Sequence, residues 1–334
     1  MLAAPPLRVF SGVQPTGRLH LGNYLGAIKQ WVRHQTEQEN IFCVVDLHAL
    51  TVPEAIQPAR LRHDCRSLVA VFLASGIDPA HSSIFIQSHI REHAELAWVL
   101  NCVTPLGWLE RMTQFKSKAE GRETVGSGLL TYPCLMAADI LLYDTDAVPV
   151  GEDQRQHIEL ARDVAERFNR MFGDVLKIPS ARIPVAGARV MGFDDPTVKM
   201  SKSLADGRPH HAVLVTDEPA RIRKTIMKAV TDGGCEYDPE KASAGVLNLL
   251  SVLSALTGTP VPALAAQYAG RGYGYLKQDV AEAVLAELAP VQAEYARMMA
   301  DAAYLDGILE ASTQRVRGIA GGVMGRVRAA VGIG

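Results

Sequence analysis

The 334-residue chain lacks an excess of either charge: 34 Lys and Arg stand against 36 Asp and Glu, a formal net charge of −2. It is not a polycation, so any nucleic-acid contact must come from a local basic patch. That argues against general RNA binding and leaves room for an enzyme that grips one RNA; no DNA partner is expected. Cysteine is sparse, with five residues, an odd number, and no C-x-x-C pair. Reduced thiols in a cytoplasmic protein are the expectation. Residues 1–10 carry one Arg and no long apolar stretch, which predicts no signal peptide. No run approaches the roughly 18 apolar residues of a membrane span, so no membrane association is expected.

What is present is a chain with 48 % hydrophobic residues, long enough for two domains. Its first half alternates short apolar runs with amphipathic stretches. Residues 7–11, 41–46, 83–87 and 147–150 read as strands. Residues 21–34, 58–75, 94–102, 128–143 and 154–172 read as helices. Strands alternating with helices predict a parallel sheet with right-handed crossovers. Beyond about residue 214 the β-branched runs give way to helical spacing over 220–230, 244–256, 275–299 and 304–331. The expected fold is α/β: a Rossmann-like parallel sheet over residues 1–210, followed by an all-helical domain over 211–334.

Two segments stand out as a pair. Residues 16–23 (TGRLHLGN) join the first strand to the first helix. Helix N-termini favour phosphate, Gly22 lets a flat base approach the backbone, and His20 and Asn23 can donate to phosphate oxygens. Residues 199–203 (KMSKS) place Lys199 and Lys202 three apart with hydroxyls between them, a loop able to close two positive charges on a triphosphate. Taken singly, each has a plain structural reading, as a strand-to-helix turn and as a solvated surface loop.

Together, in this order, they resemble the HIGH and KMSKS motifs of class I aminoacyl-tRNA synthetases. KMSKS matches at every position. The HIGH-like segment has Asn23 where the second His usually stands, and Leu204 follows KMSKS where an aspartate is usual. Further segments are similar to the tryptophanyl-tRNA synthetase family: residues 10–17 (FSGVQPTG), 23–27 (NYLGA), 46–49 (DLHA), 110–116 (ERMTQFK), 132–143 (YPCLMAADILLY) and 148–159 (VPVGEDQRQHIE). The resemblance runs from Phe10 to beyond Gly274. It implies tryptophan, ATP and tRNA(Trp) as substrates, Mg²⁺ held through the ATP phosphates rather than by protein ligands, and a homodimer with its contact near residues 80–140. Asp139 is a lone carboxylate in an apolar stretch, and an indole N–H is a donor only, so the two suit each other. An Asp that caps or pairs with an Arg is the other reading of the residue alone.

By resemblance, Tyr132, Met136 and Gln154 join Asp139 around tryptophan. ATP is expected against Gln14, Pro15, Thr16, Gly22, Asn23, Gly151, Glu152, Asp153 and the backbone of Val190. The loop Lys199, Met200, Ser201, Lys202 and Ser203 closes over it, with His20 on phosphate. Lys118, Lys199 and Lys202 are the expected catalytic cations. The last helix is a candidate to pack back on the sheet domain, and the helical part is the expected anticodon-binding domain.

The nearest rival is a tyrosyl-tRNA synthetase, whose phenol substrate donates as well as accepts. A small nucleotidyltransferase would not need the helical half, and a non-catalytic RNA-binding homologue would not need the loop lysines. Residues 89–93 match H-x-x-E-H, an inverted zinc-protease pattern. They follow directly on a strand and span a loop-to-helix junction, so no metal is expected there.

Overall fold

The computed structural model describes residues 6–15, 19–121, 124–151, 154–182, 190–205 and 207–334, without the side chains of Lys202 and Ser203. Five strands form one parallel sheet: β1 (Arg8–Val13), β2 (Glu39–Val44), β3 (Ser82–Ile86), β4 (Ala147–Pro149) and β5 (Ser180–Arg182). Their spatial order is β3-β2-β1-β4-β5, so the chain first winds outward from β1 and then crosses to its other side. The crevice beyond the carboxyl ends of β1 and β4 is therefore the switch point, where open α/β sheets bind ligands.

The helices before the sheet closes are α1 (Leu21–Asn23), α2 (Lys29–His34), α3 (Pro58–Ala74), α4 (Glu92–Val103), α5 (Leu106–Glu110), α6 (Thr113–Ala119), α7 (Ser127–Leu141) and α8 (Arg155–Phe172). After β5 come α9 (Lys202–Ala205), α10 (Pro219–Met227), α11 (Ala244–Thr257), α12 (Val261–Tyr268), α13 (Tyr273–Ala300) and α14 (Ala302–Val331). The helix expected over 21–34 is helical throughout but is interrupted by a π turn, Tyr24–Ile28. Helices α5, α6 and α12 are short and carry too few turns to show a periodic stripe.

Strand β5 escaped sequence reading for a physical reason. It is three residues long and all three are exposed, with no apolar alternation. Its backbone bonds hold it to the sheet edge, with Val150 N donating to Arg182 O at 3.0 Å and Ser180 N to Asp146 O at 2.9 Å.

Alternation along β2 sorts the core. Phe42 and Val44 point to one face, into a cluster with α3, α11 and α13; Ile41, Cys43 and Val45 point to the other, with α4, α7 and α8. Both faces of the sheet are thus covered, as parallel sheets require. The second cluster also takes Val316, Ala320, Val323, Met324 and Val327 from α14. The chain's last helix therefore lies against the sheet layer, pinned by Arg328 Nε donating to Glu95 Oε1 at 2.7 Å. Helix α13 reaches the α/β layer as well, where the Tyr295 hydroxyl meets Ser67 Oγ at 2.9 Å.

Candidate active site

A cavity of about 410 Å³ opens over the carboxyl ends of β1 and β4. Gln14 follows β1, Gly151 and Gln154 follow β4, and Lys118 comes from α6. Tyr132, Met136 and Asp139 come from α7, where spacings of four and three residues place them on one helix face. Phe10, Val45, Ile140, Val148 and Val150 add apolar wall beside the polar Ser11, His48, Thr51 and Gln114. The structure thus brings together seven residues expected at the site: Gln14, Lys118, Tyr132, Met136, Asp139, Gly151 and Gln154.

Asp139 is 2 % exposed, and it is not alone. Oδ1 accepts from Gln87 Nε2 at 2.6 Å and pairs with His93 Nδ1 at 2.7 Å; Oδ2 pairs with His48 Nε2 at 2.7 Å. An ionised carboxylate only accepts, so both imidazoles donate, which fixes their ring protons at these atoms. In a neutral His93 ring, Nε2 then accepts from the Tyr143 hydroxyl at 2.7 Å. Gln87 is held in turn by Leu47 N, which donates to its Oε1 at 3.0 Å. Burial raises the Asp139 pKa, but the contacts with His48 and His93 outweigh burial and hold the carboxyl below its ordinary value. Burial pushes the Tyr143 phenol well above its usual value, so it stays a neutral donor. Of the roughly four lone-pair positions on a carboxylate, three are taken, and one on Oδ2 remains.

Sequence reasoning had not found His48, Gln87 and His93 as site residues. Gln87 and His48 follow the ends of β3 and β2, so the strand-end rule could have marked them. His89 and His93 do occupy a strand-to-helix junction: His89 lies in the short turn Gln87–His89, and His93 is the second residue of α4. Both ring nitrogens of His93 are engaged, by Asp139 and Tyr143.

Tyr132 Oη lies 2.7 Å from His157 Nε2, and the Lys118 ammonium sits 5.6 Å from the Tyr132 ring centroid. Burial pushes the Tyr132 phenol up to about 12. Gln154 is set by its backbone N–H, which donates to Gly151 O at 2.9 Å.

The HIGH-like segment forms a reciprocal helix cap. His20 Nδ1 accepts from Asn23 N at 3.2 Å, and Asn23 Oδ1 accepts from His20 N at 3.3 Å. The amide at 23 thus completes a capping box while keeping N–H groups to donate. Gly22 leaves room for the His20 ring and for Val190, since a Cβ there would lie 3.1 and 3.4 Å from them. The same segment is joined to the stretch after KMSKS, with Leu21 N donating to Val213 O at 2.8 Å and Val215 N to Leu19 O at 2.9 Å.

The KMSKS segment is anchored from below. Met200 is 1 % exposed in the apolar cluster, and its N–H donates to Val190 O at 3.1 Å. Ser201 N donates to His211 Nε2 at 3.3 Å, and His211 Nδ1 lies 2.7 Å from Asp194 Oδ1. The ring packs directly on Gly192, where an added Cβ would lie 2.4 Å from it. Helix α11 braces this platform through Asn248, which exchanges two hydrogen bonds with the Met191 backbone, at 2.9 and 3.1 Å. These contacts hold the backbone at Met200 and Ser201. Among the described residues, His20, Gly22, Asn23, Val190, Lys199, Met200 and Ser201 do not line the cavity, and Lys199 is exposed. Pro15 is buried beside Gln14. Thr16, Glu152 and Asp153, and the side chains of Lys202 and Ser203, lie outside the described residues.

A family model described as "tRNA synthetases class I (W and Y)" matches residues 2–289. A tryptophan–tRNA ligase of Wolinella succinogenes is 50 % identical over 329 residues, covering 98 % of each chain. The solved tryptophanyl-tRNA synthetase of Mycoplasma pneumoniae superposes with a TM-score of 0.87 at 33 % identity, covering 98 % of each chain. That of Campylobacter jejuni, solved with ADP and tryptophan, gives 0.85 at 34 % identity over 98 % of this chain and 100 % of its own. A cavity of mixed apolar and polar lining with the buried carboxylate of Asp139 in its wall, at the switch point of a parallel sheet, thus accompanies near-full-length likeness, and the chain belongs to the tryptophan–tRNA ligase family of class I aminoacyl-tRNA synthetases.

Proposed function

We propose that the chain activates L-tryptophan with ATP and transfers it to the 3′ end of tRNA(Trp). The observation that carries this is Asp139, an ionised acceptor in the cavity wall with one lone pair unspent. An indole edge offers a single donor and no acceptor, so it completes the carboxylate's set and leaves nothing unpaired. Met136 flanks it on α7, Tyr132 and Gln154 take the amino-acid end, and Gln14 and Gly151 lead toward ATP. The relatives at half identity support tryptophan over the rival tyrosine reading.

ATP enters as its Mg²⁺ complex. The tryptophan carboxylate attacks the α-phosphate in line, and pyrophosphate leaves. The terminal ribose hydroxyl of the tRNA then attacks the adenylate carbonyl, and AMP leaves. Positioning and charge stabilisation supply most of the rate in such transfers. Lys118 stands at the cavity wall for this role, and Lys199 and Lys202 come from the KMSKS loop. Pro15, Thr16, Gly22, Asn23, Glu152, Asp153, Val190, Met200, Ser201 and Ser203 complete the ATP site, with His20 on phosphate. The helical part from about residue 211 reads the anticodon. The protein acts in the cytoplasm, in keeping with its five free thiols. Among the described residues no single helix is long and apolar enough to cross a membrane.

Two copies pair through the face formed by α4 and α5, where Trp98 is 70 % and Leu106 59 % exposed. Sedimentation of Trp98→Glu should then show a monomer. The activity itself is tested by ATP–pyrophosphate exchange across the twenty amino acids. Tryptophan should give the dominant signal; a larger one from tyrosine would overturn the reading.

A further inference from the structure

The chain has nine tyrosines, and four of them gather at the corner between α12 and α13. Tyr237, Tyr268 and Tyr273 are buried against one another, with ring centroids 5.2 and 5.8 Å from that of Tyr237. Tyr275 stands outside them, 55 % exposed. The Arg271 guanidinium lies over its ring, 4.3 Å from the centroid, and 5.8 Å from that of Tyr268.

The neighbouring carboxylates are already engaged. Asp279 accepts from the Tyr268 hydroxyl at 2.6 Å, and Asp232 from the Tyr273 hydroxyl at 2.9 Å and from Gly234 N at 2.7 Å. Among the described residues, no carboxylate forms an ion pair with Arg271. The flanking backbone is bare: a Cβ at Gly270, Gly272 or Gly274 would meet nothing within 4 Å, and Gly270 has a φ of +77°, which favours glycine. The corner stands apart from the α/β part: twelve residues of α13, about 18 Å along the helix, separate Tyr275 from Glu287, which accepts from the Tyr24 hydroxyl at 2.9 Å.

An exposed ring, a guanidinium plane free of acid and an uncovered backbone fit an unstacked base with its phosphate. Bases are available in this way only in single-stranded loops, where aromatic rings and Arg planes take them by stacking. One cation, rather than a basic stripe, suits a single nucleotide better than the phosphates of a duplex. We propose that Arg271 and Tyr275 form a stacking platform for an unpaired nucleotide of the tRNA anticodon loop. This rests on the proposed tRNA ligase function and names where the helical part grips its RNA.

The test uses full-length Arg271→Ala, Tyr275→Ala and Tyr275→Phe. In aminoacylation, each alanine variant should raise the KM for tRNA about tenfold or more, the scale of one lost stacked base. Tyr275→Phe keeps the ring and should stay near wild type. Tryptophan-dependent pyrophosphate exchange should be unchanged in all three. An RNA hairpin with the anticodon-arm sequence should compete more weakly against both alanine variants, while an acceptor-arm hairpin competes as before. Normal exchange with an unchanged KM for tRNA in both alanine variants sinks the platform alone. So does equal loss for both hairpins, or exchange that falls in step with aminoacylation. A wild-type protein without tryptophan-dependent exchange would instead sink the function on which the platform rests.

Discussion

His93 Nδ1 donates to Asp139 Oδ1 at 2.7 Å, and both side chains are shut away from solvent, at 0 % and 2 % exposure. With Gln87 on the same oxygen, this contact points the carboxylate at the cavity and keeps it ionised. The pair has a pH signature. The folded Asp139 pKa lies below that of an unfolded aspartate, about 3.9. Its contribution to stability is therefore complete above that unfolded value and is lost as pH falls through the folded one. Removing His93 raises the folded value, so the loss should begin at higher pH. We expect His93→Leu to cost about 1.5–3 kcal/mol at neutral pH, the worth of a hydrogen bond to a charged group, and to shift acid unfolding upward. Urea titrations from neutral pH into the acid range check this, and an unmoved acid limb would refute it.

Tyr132 divides a ring function from a hydroxyl function. Its phenol is pushed up to about 12, so it should carry no charge and add no titration below that. Tyr132→Phe removes only the contact with His157 and should cost about 1 kcal/mol of stability. Tyr132→Ala also removes the surface beneath Lys118 and should raise the KM for tryptophan roughly tenfold, a loss of about 1.4 kcal/mol. Equal kinetics for the two variants would show that the ring does not matter.

The KMSKS platform should be sensitive at Gly192. A methyl there would meet the His211 ring at 2.4 Å, against a ring already fixed by Asp194 and Ser201. Gly192→Ala should therefore destabilise by about 1–3 kcal/mol through overpacking. His211→Ala in the same chain should recover part of that loss. Thermal melts of the single and double variants decide it; purely additive losses would contradict the packing argument.

Lys202 should act on the transition state, because a loop cation can close on charge that develops during transfer. Lys202→Ala should lower kcat for exchange by about 10²–10³, the scale of one preorganised donor, with little change in the KM for tryptophan. Normal kcat with a large rise in that KM would remove Lys202 from the catalytic set.

Much of this was legible in the sequence because the signal was local. Four strands showed as apolar runs, and the long helices as periodic stripes. Tyr132 and Met136 are expected beside Asp139 by resemblance, and all three share the one helix α7. What was not legible is long-range. Asp139 looked solitary because His48, Gln87 and His93, which hold it, come from three other segments 46 to 91 residues away. Strand β5 lacked an apolar pattern because an exposed edge strand has nothing to bury. Nor does a local reading show that Met200 is sunk in the core; the cap between His20 and Asn23, three residues apart, is local and lay within reach of a capping-box reading.

The central claim is that the last lone pair of Asp139 reads the indole N–H. A site built around a buried hydrogen bond rejects a ligand that lacks the partner by roughly 10⁴–10⁵, a scale set by the tyrosyl enzyme acting against phenylalanine. The direct measurement is kcat/KM for tryptophan and for its analogue with sulfur in place of the ring N–H, in wild type and in Asp139→Ala. Wild type should prefer tryptophan strongly, and the variant should lose most activity and most of that preference together. If the variant keeps tryptophan activation within about tenfold of wild type, a change of only ~1.4 kcal/mol, or keeps the full preference over the sulfur analogue, Asp139 does not determine specificity.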